Sequence, residues 1–457
     1  MDEARALERF RELLRIPTVS RLAGEGQDPA PFAEFPRALE RLYPAVFGAL
    51  QPLPVDGPAL LYRWPGRSAA EPRMLMAHWD VVPADEPGWT HPPFDAVLTD
   101  GAADPTAPAA GATEPGDRRL WGRGTIDDKG ALVAILEALD DAIAAGVVPE
   151  HDVYLEFGGD EEVLGTGAQA VARALAEQGV RPALVLDEGG AVVQGQFPGV
   201  VAPTAVIGIA EKGIATVVLT AHSPGGHASA PPRSAPTATD RLARAVRRVS
   251  RPAPADLPPP AYPMFAAIGG AARGLLGLAY RHPRLFKPVL LAALDRGSNE
   301  AAAMIRTTRV VTRLRGAAAD NVLPESASAR VNVRVAVGST LAAEVERIRR
   351  DIADPQVEVS VDYGDDPSPV SPAEGPAWEA LAGALAVSHP DAVAVPYAMM
   401  GASDGRHMTA ISDHVYRFTP FELSAAELGG LHAVDESIRV SAWLRGVAFY
   451  RALLDRL

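Results

Sequence analysis

Residues 121–130, which read WGRGTIDDKG, join a glycine-rich turn to two adjacent acids, Asp127 and Asp128. The next stretch, ALVAILEALDDAIAAG at residues 131–146, carries apolar side chains at helical spacing and ends in glycine, which predicts a helix. Both acids therefore lie at the N-terminus of this helix, where backbone N–H groups and the helix dipole stabilise a carboxylate. Such a position suits a capping acid or a metal ligand, and capping is the commoner role.

The composition of the 457-residue chain narrows the class of protein. Cysteine is absent, so any metal must bind to His, Asp, Glu or water, a set of ligands typical of Zn, Co or Mn. A net charge of −14 argues against nucleic acid as a partner. No apolar run is long enough to predict a membrane span, and the first residues lack the pattern of a signal peptide. We therefore expect a cytoplasmic protein without a membrane partner.

Predicted strands alternate with predicted helices up to about residue 205, and polar residues follow the strands. They are His78 and Asp80, the acids at 160–162, and Asp187. This order predicts an α/β domain, a mixed open sheet flanked by helices, with its site at the edge where the strands end. The same character returns after residue 366, and a late loop there carries His432. We expect residues 1–205 and 366–457 to form this catalytic domain.

Residues 206–365 have the order βαββαβ, which predicts a separate α+β, ferredoxin-like domain. Within it, residues from about 252 to 307 form an apolar, helical insertion. Packing on a core or a subunit interface is favoured there over an acyl-binding groove, because apolar helices more often bury than bind. Residues 100–117, rich in Ala, Pro and Gly without a period, predict a surface loop.

Five side chains from these places form a candidate metal set: His78, Asp127, Glu162, Asp187 and His432. Two histidines and three carboxylates suit two divalent ions about 3.5 to 4 Å apart that share a bridging carboxylate and a water. The neighbouring Glu161 would take the proton of that water and deliver it to the leaving amine. Asp80 would orient His78. Each residue alone has a plainer explanation, such as a solvated acidic turn at 160–162, but five coincidences in one sheet order favour a metal site.

Five motifs, in this order along nearly the whole chain, resemble the zinc-dependent exopeptidases that include carboxypeptidase S, carboxypeptidase G, aminoacylase and desuccinylase. They are HWDVVP at 78–83, GRGTIDDKG at 122–130, GDEE at 159–162, LDEGG at 186–190 and LH at 431–432. A finer likeness, to the carboxypeptidase S and N-acyl-aromatic-amino-acid hydrolase branch, is carried by DEGG, SPGGHASAPP, the insertion containing LFKP, and SDGRH followed by YRFTP.

The resemblance implies that Asp127 bridges two Zn²⁺ ions, with Co²⁺ or Mn²⁺ as alternatives, and is followed by a cis peptide. One ion would also bind His78 and Asp187, the other Glu162 and His432. Glu161 would be the general base. The chain at 100–117 departs from the compact hairpin that the resemblance implies there.

For the small domain, the resemblance implies a lid through which two copies form a homodimer. His227 would reach the neighbouring subunit's site and help to polarise the scissile carbonyl. Asn321 and Arg334 match positions that grip the substrate's carboxylate, a role that suits the two-pronged guanidinium of Arg334. Without the resemblance, Arg334 is as well explained as an exposed charge on a strand.

These observations predict a metal-dependent hydrolase that cleaves the amide bond of a small-molecule substrate, an N-acyl-amino acid or a small peptide with a free carboxylate. One alternative is a desuccinylase or deacetylase of a biosynthetic intermediate. Another is a non-catalytic protein that binds metal or peptide on the same scaffold, against which the presence of Glu161 argues.

Overall fold

The computed structural model describes residues 1–22, 26–85, 87–100, 117–163 and 165–457. The predicted surface loop at 100–117 lies, except for its two end residues, outside this part of the chain. The helices are α1 (Glu3–Leu14), α2 (Pro29–Leu42), α3 (Pro44–Ala49), α4 (Lys129–Ala144), α5 (Gly167–Glu177), α6 (Ala238–Val249), α7 (Ala261–Ala271), α8 (Gly274–Arg281), α9 (Lys287–Arg296), α10 (Asn299–Met304), α11 (Leu341–Ile352), α12 (Pro376–Ser388), α13 (Gly405–Met408), α14 (Ala425–Gly429) and α15 (Val440–Leu454).

The strands are β1 (Gln51–Leu53), β2 (Leu60–Trp64), β3 (Ser68–His78), β4 (Val97–Asp100), β5 (Arg118–Trp121), β6 (His151–Gly158), β7 (Leu184–Val193), β8 (Thr204–Glu211), β9 (Gly213–His222), β10 (Gly226–His227), β11 (Thr308–Arg315), β12 (Val322–Leu323), β13 (Ser326–Val335), β14 (Val357–Gly364), β15 (Val393–Met399), β16 (Val415–Glu422) and β17 (Ser437–Arg439).

Eight of these strands form one large sheet in the order β1-β2-β6-β3-β7-β16-β8-β15. Its centre is parallel, whereas β1 and β2 run antiparallel to their neighbours, so the predicted mixed sheet is confirmed. The predicted helix at the acid pair is α4, which packs against α1, α3, α15 and β3. Most of α4 is buried, which explains its long apolar run, and its acids Glu137, Asp140 and Asp141 pair with arginines of α1 and α15.

The parallel pairing brings the predicted site residues to one edge of the sheet. β3 ends at His78, which is level with Gly158 at the end of β6, just before the acids at 160–162. Asp187 lies on β7, the other neighbour of β3. A separate three-stranded sheet, β17-β5-β4, leads into the turn at 122–128 and places the chain after His432 beside it.

The small domain has the sheet order β11-β13-β9-β14, with α6 and α11 packed on it around a hydrophobic core of their own. Its sequence order of β9, α6, β11, β13, α11 and β14 is the predicted βαββαβ plan. The predicted boundary at residue 206 falls inside β8, which pairs within the large sheet, because the chain crosses between the sheets only after Glu211.

The insertion at 252–307 is helical, as predicted, and comprises α7 to α10. Its buried side chains, among them Met264, Phe265 and Tyr280, belong to the core of the large sheet. α7 packs against β15, so this segment of the chain covers the core of the catalytic domain. In the part of the chain that the structure describes, no helix is both long enough and apolar enough to cross a bilayer.

Candidate metal centre

Asp127 lies between two histidines. Its Oδ1 is 3.0 Å from His78 Nε2, and its Oδ2 is 2.9 Å from His432 Nε2. Glu162 joins them, with Oε2 lying 3.3 Å from His432 Nε2. The structure thus brings four of the five predicted ligands together around one carboxylate, and each oxygen of Asp127 faces a different histidine.

The chemistry of this group fits a divalent cation. Ligand atoms of His78, Asp127 and Glu162 all lie within 4.8 Å of one another. Glu162 Oε1 is buried without a hydrogen-bond partner, so one ligand position is available. Imidazole and carboxylate are ligands that zinc prefers, and a catalytic zinc site keeps one side open. The side chain of His432 is half-exposed, so solvent reaches the group from that side.

Asp187, the fifth predicted ligand, is buried on β7 outside that group of three. Its Oδ2 accepts a hydrogen bond from Gly405 N–H at 2.6 Å. Burial, and then repulsion from neighbouring acids that include Asp187, raises the pKa values of Asp128, Glu156 and Asp404, that of Asp404 to about 8. The negative charge concentrated here favours a cation beside these acids.

Hydrogen bonds decide how the acids and histidines share protons. Burial opposes the charged form of Asp127, but hydrogen bonds from His432 and His78 outweigh it and lower the pKa of Asp127. The contacts with Asp127 and Glu162 raise the pKa of His432 to about 10. Burial raises the pKa of Glu161 well above its ordinary value. A divalent cation that binds here would therefore compete with protons for these side chains.

Asp80 organises the backbone beneath the site. Its buried carboxylate accepts hydrogen bonds from the N–H groups of Glu161 and Glu162, each at 3.1 Å, and from Ser20 Oγ at 2.7 Å. His78 Nδ1 lies 3.0 Å from the carbonyl oxygen of Asp80 and 3.4 Å from its carboxylate. Asp80 thus contacts His78, as predicted, and it also fixes the two glutamates, which the sequence did not indicate.

The three adjacent acids at 160–162 divide between two tasks. Asp160 accepts hydrogen bonds from the backbone N–H groups of Thr166 and Gly167 and so supports the start of α5. Glu161 and Glu162 begin a short 3-10 helix, Glu161–Val163, from which Glu162 reaches His432. We call His78, Asp127, Glu162 and His432 the metal group. A solvated acidic turn is therefore the wrong interpretation for Glu162, whose Oε1 is buried.

A distant carboxylate holds the turn that presents Asp127. Glu436 Oε1 accepts hydrogen bonds from the backbone N–H groups of Ile126 at 2.8 Å, Gly124 at 3.1 Å and Asp127 at 3.3 Å. Its Oε2 is 2.7 Å from Arg123 Nη1 in a fully buried ion pair. Sequence reasoning missed Glu436; its only signal was an acid shortly after His432 in a polar loop.

Neither acid of the pair caps α4 with its side chain. Asp128 occupies the N-cap position without a side-chain hydrogen bond to the helix, and its Oδ2 accepts one from His78 N–H at 3.2 Å. The cap interpretation of the pair is therefore wrong, because Asp127 contacts the two imidazole rings and Asp128 accepts from the backbone N–H of His78. The peptide bond between Asp127 and Asp128 is cis, as the resemblance implies.

Comparisons with known proteins agree with this arrangement. The sequence model of peptidase family M20/M25/M40 matches residues 74–456. The chain belongs to this family. The human N-fatty-acyl-amino acid synthase/hydrolase PM20D1 is 30% identical over 98% of this chain and 87% of its own length. Probable carboxypeptidase S-like 2 of Dictyostelium discoideum is 30% identical over 93% of this chain and 79% of its own length.

Solved structures share the fold of this M20 protein. A metallo-carboxypeptidase of the M20 family from Sulfolobus solfataricus, Sso-CP2, superimposes with a TM-score of 0.70 at 16% identity, over 99% of each chain. Human carnosine dipeptidase 1 gives a TM-score of 0.61 at 14% identity, over 99% of this chain and 96% of the other. The large sheet and the small antiparallel sheet are therefore the catalytic and lid domains of an M20 metallohydrolase.

Two residues expected to meet substrate, His227 and Asn321, are exposed on the lid. His227, on β10, is exposed, and its Nδ1 is 2.8 Å from Ser229 Oγ. Pairing of β10 with β12 sets His227 opposite Val322, next to Asn321, which is also exposed. Within the described residues, no hydrogen bond joins His227 or Asn321 to the metal group.

Arg334 is half-buried on β13, with its Nη1 buried and unpartnered. Burial and then the nearby charge of Arg406 lower the pKa of Arg334, so the two guanidinium groups repel each other. Arg406 bonds Ser403 O at 3.1 Å through Nη1, while its Nε and Nη2 are buried without partners. The motif SDGRH contains Arg406, but the sequence did not indicate a role for it. Together these N–H groups can bind an anion.

Proposed function

We propose that this M20 metallohydrolase cleaves the amide bond of N-acyl-amino acids or small peptides that carry a free carboxylate. The observation that carries the proposal is the Asp127 carboxylate, which lies between His78 and His432 with Glu161 and Glu162 alongside. This is the arrangement that a bridging ligand and a general base require.

In this proposal two Zn²⁺ ions, or Co²⁺ or Mn²⁺, bind to His78, Asp127, Asp187, Glu162 and His432. When bound, such ions lower the pKa of a water and polarise the carbonyl of the substrate. Their requirement for negative ligands agrees with the raised pKa values of the buried acids around Asp187.

Glu161 is the general base. Its backbone is fixed by Asp80, so its side chain keeps its place next to Glu162. As the attacking water forms its bond to the carbonyl carbon, Glu161 accepts its proton. Glu161 then delivers that proton to the nitrogen as the carbon–nitrogen bond breaks.

Arg334 and Arg406 bind the substrate's carboxylate. Each has buried N–H groups without a partner, which is a costly state for a donor unless a ligand accepts from it. Two guanidinium groups that repel each other gain further from an anion between them. Asn321 and His227 lie exposed on the lid, so we assign them to the site of a second copy in a homodimer formed through the lid.

The relatives support both substrate classes. One is named an N-fatty-acyl-amino acid synthase/hydrolase and another a probable carboxypeptidase S-like protein, and each aligns with nearly all of this chain. Both names describe the making or breaking of an amide bond beside a carboxylate. We therefore propose acyl-amino acids and peptides with a free C-terminus over other amides.

A panel of substrates tests the proposal. It contains N-acyl-amino acids of several acyl lengths, dipeptides, acetylated and succinylated biosynthetic intermediates, and carboxamide analogues that lack the carboxylate. We expect chelation to abolish hydrolysis, zinc to restore it, and each carboxamide to be cleaved about 100-fold more slowly. Arg406→Gln should raise KM about tenfold for free carboxylates and leave the carboxamides unchanged.

Other results would contradict the proposal in separate ways. Preference for the acetylated or succinylated intermediates would assign a biosynthetic deacylase. A zinc-loaded protein that cleaves nothing in the panel would assign a binding protein. Equal cleavage of carboxylates and carboxamides would remove Arg334 and Arg406 from substrate recognition.

A further inference from the structure

The insertion exposes five large apolar side chains within a short segment, residues 275–289. Leu275 is 85% exposed and Leu285 is 76% exposed, and Leu276, Leu278 and Val289 are also exposed. Soluble proteins seldom leave such side chains together in water, and clusters of this kind mark surfaces that bind something. We call these five residues the apolar patch.

The helices that carry the apolar patch are anchored to the core. Tyr280 stacks on Phe265 with ring centroids 5.5 Å apart, and its hydroxyl donates to Pro198 O at 3.1 Å. Leu290 of α9 is buried. A Cβ at Gly199 would meet Leu276 at 3.3 Å, so the chain next to Val201 lies against the patch. Val201 is itself 91% exposed and extends it.

Basic residues are frequent in the segment that carries the apolar patch. Residues 273–296 contain five Arg or Lys and one acid, Asp295, although the whole chain has a net charge of −14. Lys287 pairs with Asp256, and Asp295 pairs with Arg306. Within the described residues, Arg273 and Arg296 form no ion pair. Arg281 and Arg284 contact only a carbonyl and the Tyr262 ring among the interactions seen there.

We propose that the apolar patch and its arginines bind the surface of an anionic lipid bilayer. Leucines entering the acyl boundary and arginines beside the phosphates are the two contributions that hold amphipathic segments at a membrane interface. A second copy of this chain could also cover these leucines, but five basic residues and a single acid in residues 273–296 favour an anionic surface as the occupant. The proposal revises the expectation of no membrane partner, which considered only spanning segments.

The consequence for catalysis rests on the proposed function, whereas the binding itself does not. A protein bound to a bilayer through the insertion would meet long-chain acyl substrates in the bilayer, where they concentrate. Failure of the binding test would leave the hydrolase assignment intact.

Sedimentation with vesicles tests the proposal. The full chain is mixed with phosphatidylcholine vesicles, and separately with vesicles that also contain phosphatidylglycerol. We expect binding to the second kind, weakened by added salt. Leu275→Ser with Leu285→Ser, and independently Arg273→Gln with Arg296→Gln, should each reduce binding about tenfold or more. The control, Val148→Ser with Val387→Ser, removes exposed apolar side chains elsewhere and should bind like the wild type.

Melting curves and molecular mass are measured for every variant. They distinguish a loss of vesicle binding from unfolding and from dissociation of a dimer. Absence of binding to the anionic vesicles, or an equal loss in the control, would overturn the proposal. So would a fall in molecular mass in the Leu275 and Leu285 variant with vesicle binding unchanged, since the apolar patch would then be covered by a second copy. Because the arginine pair is exposed, its variant still tests membrane binding if the serine variant does not fold.

Discussion

Glu161 and Glu162 are adjacent in sequence and differ in what surrounds them. Glu162 contacts His432, whereas no such histidine contact involves Glu161 among the described residues. Both backbones are held by Asp80. In the proposed mechanism Glu162 binds metal and Glu161 is the base, and two groups that act on the same water need such fixed, neighbouring positions.

Glu161→Gln tests this separation. Glutamine keeps the shape of the side chain but cannot accept the proton, so we expect turnover to fall by about 10²- to 10⁴-fold. Melting temperature and zinc per chain should stay at wild-type values. Glu162→Gln is the matched comparison and should lose zinc as well as activity. Normal turnover by Glu161→Gln would remove Glu161 from the role of base.

Single residues also show how far sequence reasoning reaches. His78, Asp127 and His432 could be chosen as site residues from the sequence, because each lies in a motif of metal-binding residue types. The motifs fall at the end of a strand, before a helix and in a loop, respectively. Glu436 was not, because it satisfies backbone N–H groups at 124–127, and a turn leaves no pattern in a segment so distant in sequence. Unpartnered N–H groups such as those of Arg406 are visible only once the surroundings are known.

Between elements, Glu436 connects the loop before β17 to the turn before α4. In Glu436→Gln, the side-chain NH₂ cannot accept hydrogen bonds from the backbone N–H groups or from Arg123. Arg123 would then stay buried without a negatively charged partner. We expect a loss of about 3 kcal/mol or more in unfolding free energy and weaker zinc binding. Glu379→Gln, at an exposed acid of α12, is the control. Equal melting temperatures for the two variants would contradict this role for Glu436.

His389, which follows α12, should make the stability of the folded protein depend on pH. Burial, followed by the charge of Arg445, lowers the pKa of His389 to about 4. In the unfolded chain His389 takes up a proton near pH 6.5, while in the folded protein it stays neutral to about pH 4. Its contribution is therefore present above pH 6.5 and is lost as the pH falls toward 4.

The measurement is the drop in melting temperature between pH 7 and pH 5. His389→Gln cannot titrate and should show a smaller drop than the wild type. Identical drops would mean that His389 does not contribute to acid sensitivity.

The sequence predicts the helices and strands more securely than it predicts which of them pack or pair with one another. Apolar periodicity identified α4 and the central strands, and the βαββαβ order identified the lid. The register that sets His78 level with Gly158, and the pairing of β17 with β5, depend on contacts between distant segments. For the same reason the insertion was assigned to the lid by its place in the chain, although its buried side chains lie in the core of the large sheet.

In the whole molecule, His227 and Asn321 lie exposed on the lid, and among the described residues no hydrogen bond joins them to the metal group. If a second copy completes each site, two defective proteins should complement each other. A His227→Ala variant mixed in equal amount with Glu161→Gln under conditions of subunit exchange should recover about a quarter of wild-type activity. About half of the dimers are then mixed, and one of the two sites in each mixed dimer has both residues intact. Each variant alone should be nearly inactive. No recovery in a mixture shown to contain mixed dimers would mean that each subunit works alone.

The central claim is that Asp127 joins two ions in a site that hydrolyses amides. Zinc titrated into the chelated protein, with bound metal and hydrolysis of an N-acyl-amino acid followed together, tests it most directly. We expect activity to reach its plateau at two zinc ions per chain, and Asp127→Ala to bind less metal and remain inactive throughout. Full activity in the chelated protein, or a plateau at one ion with Asp127→Ala unaffected, would contradict the claim.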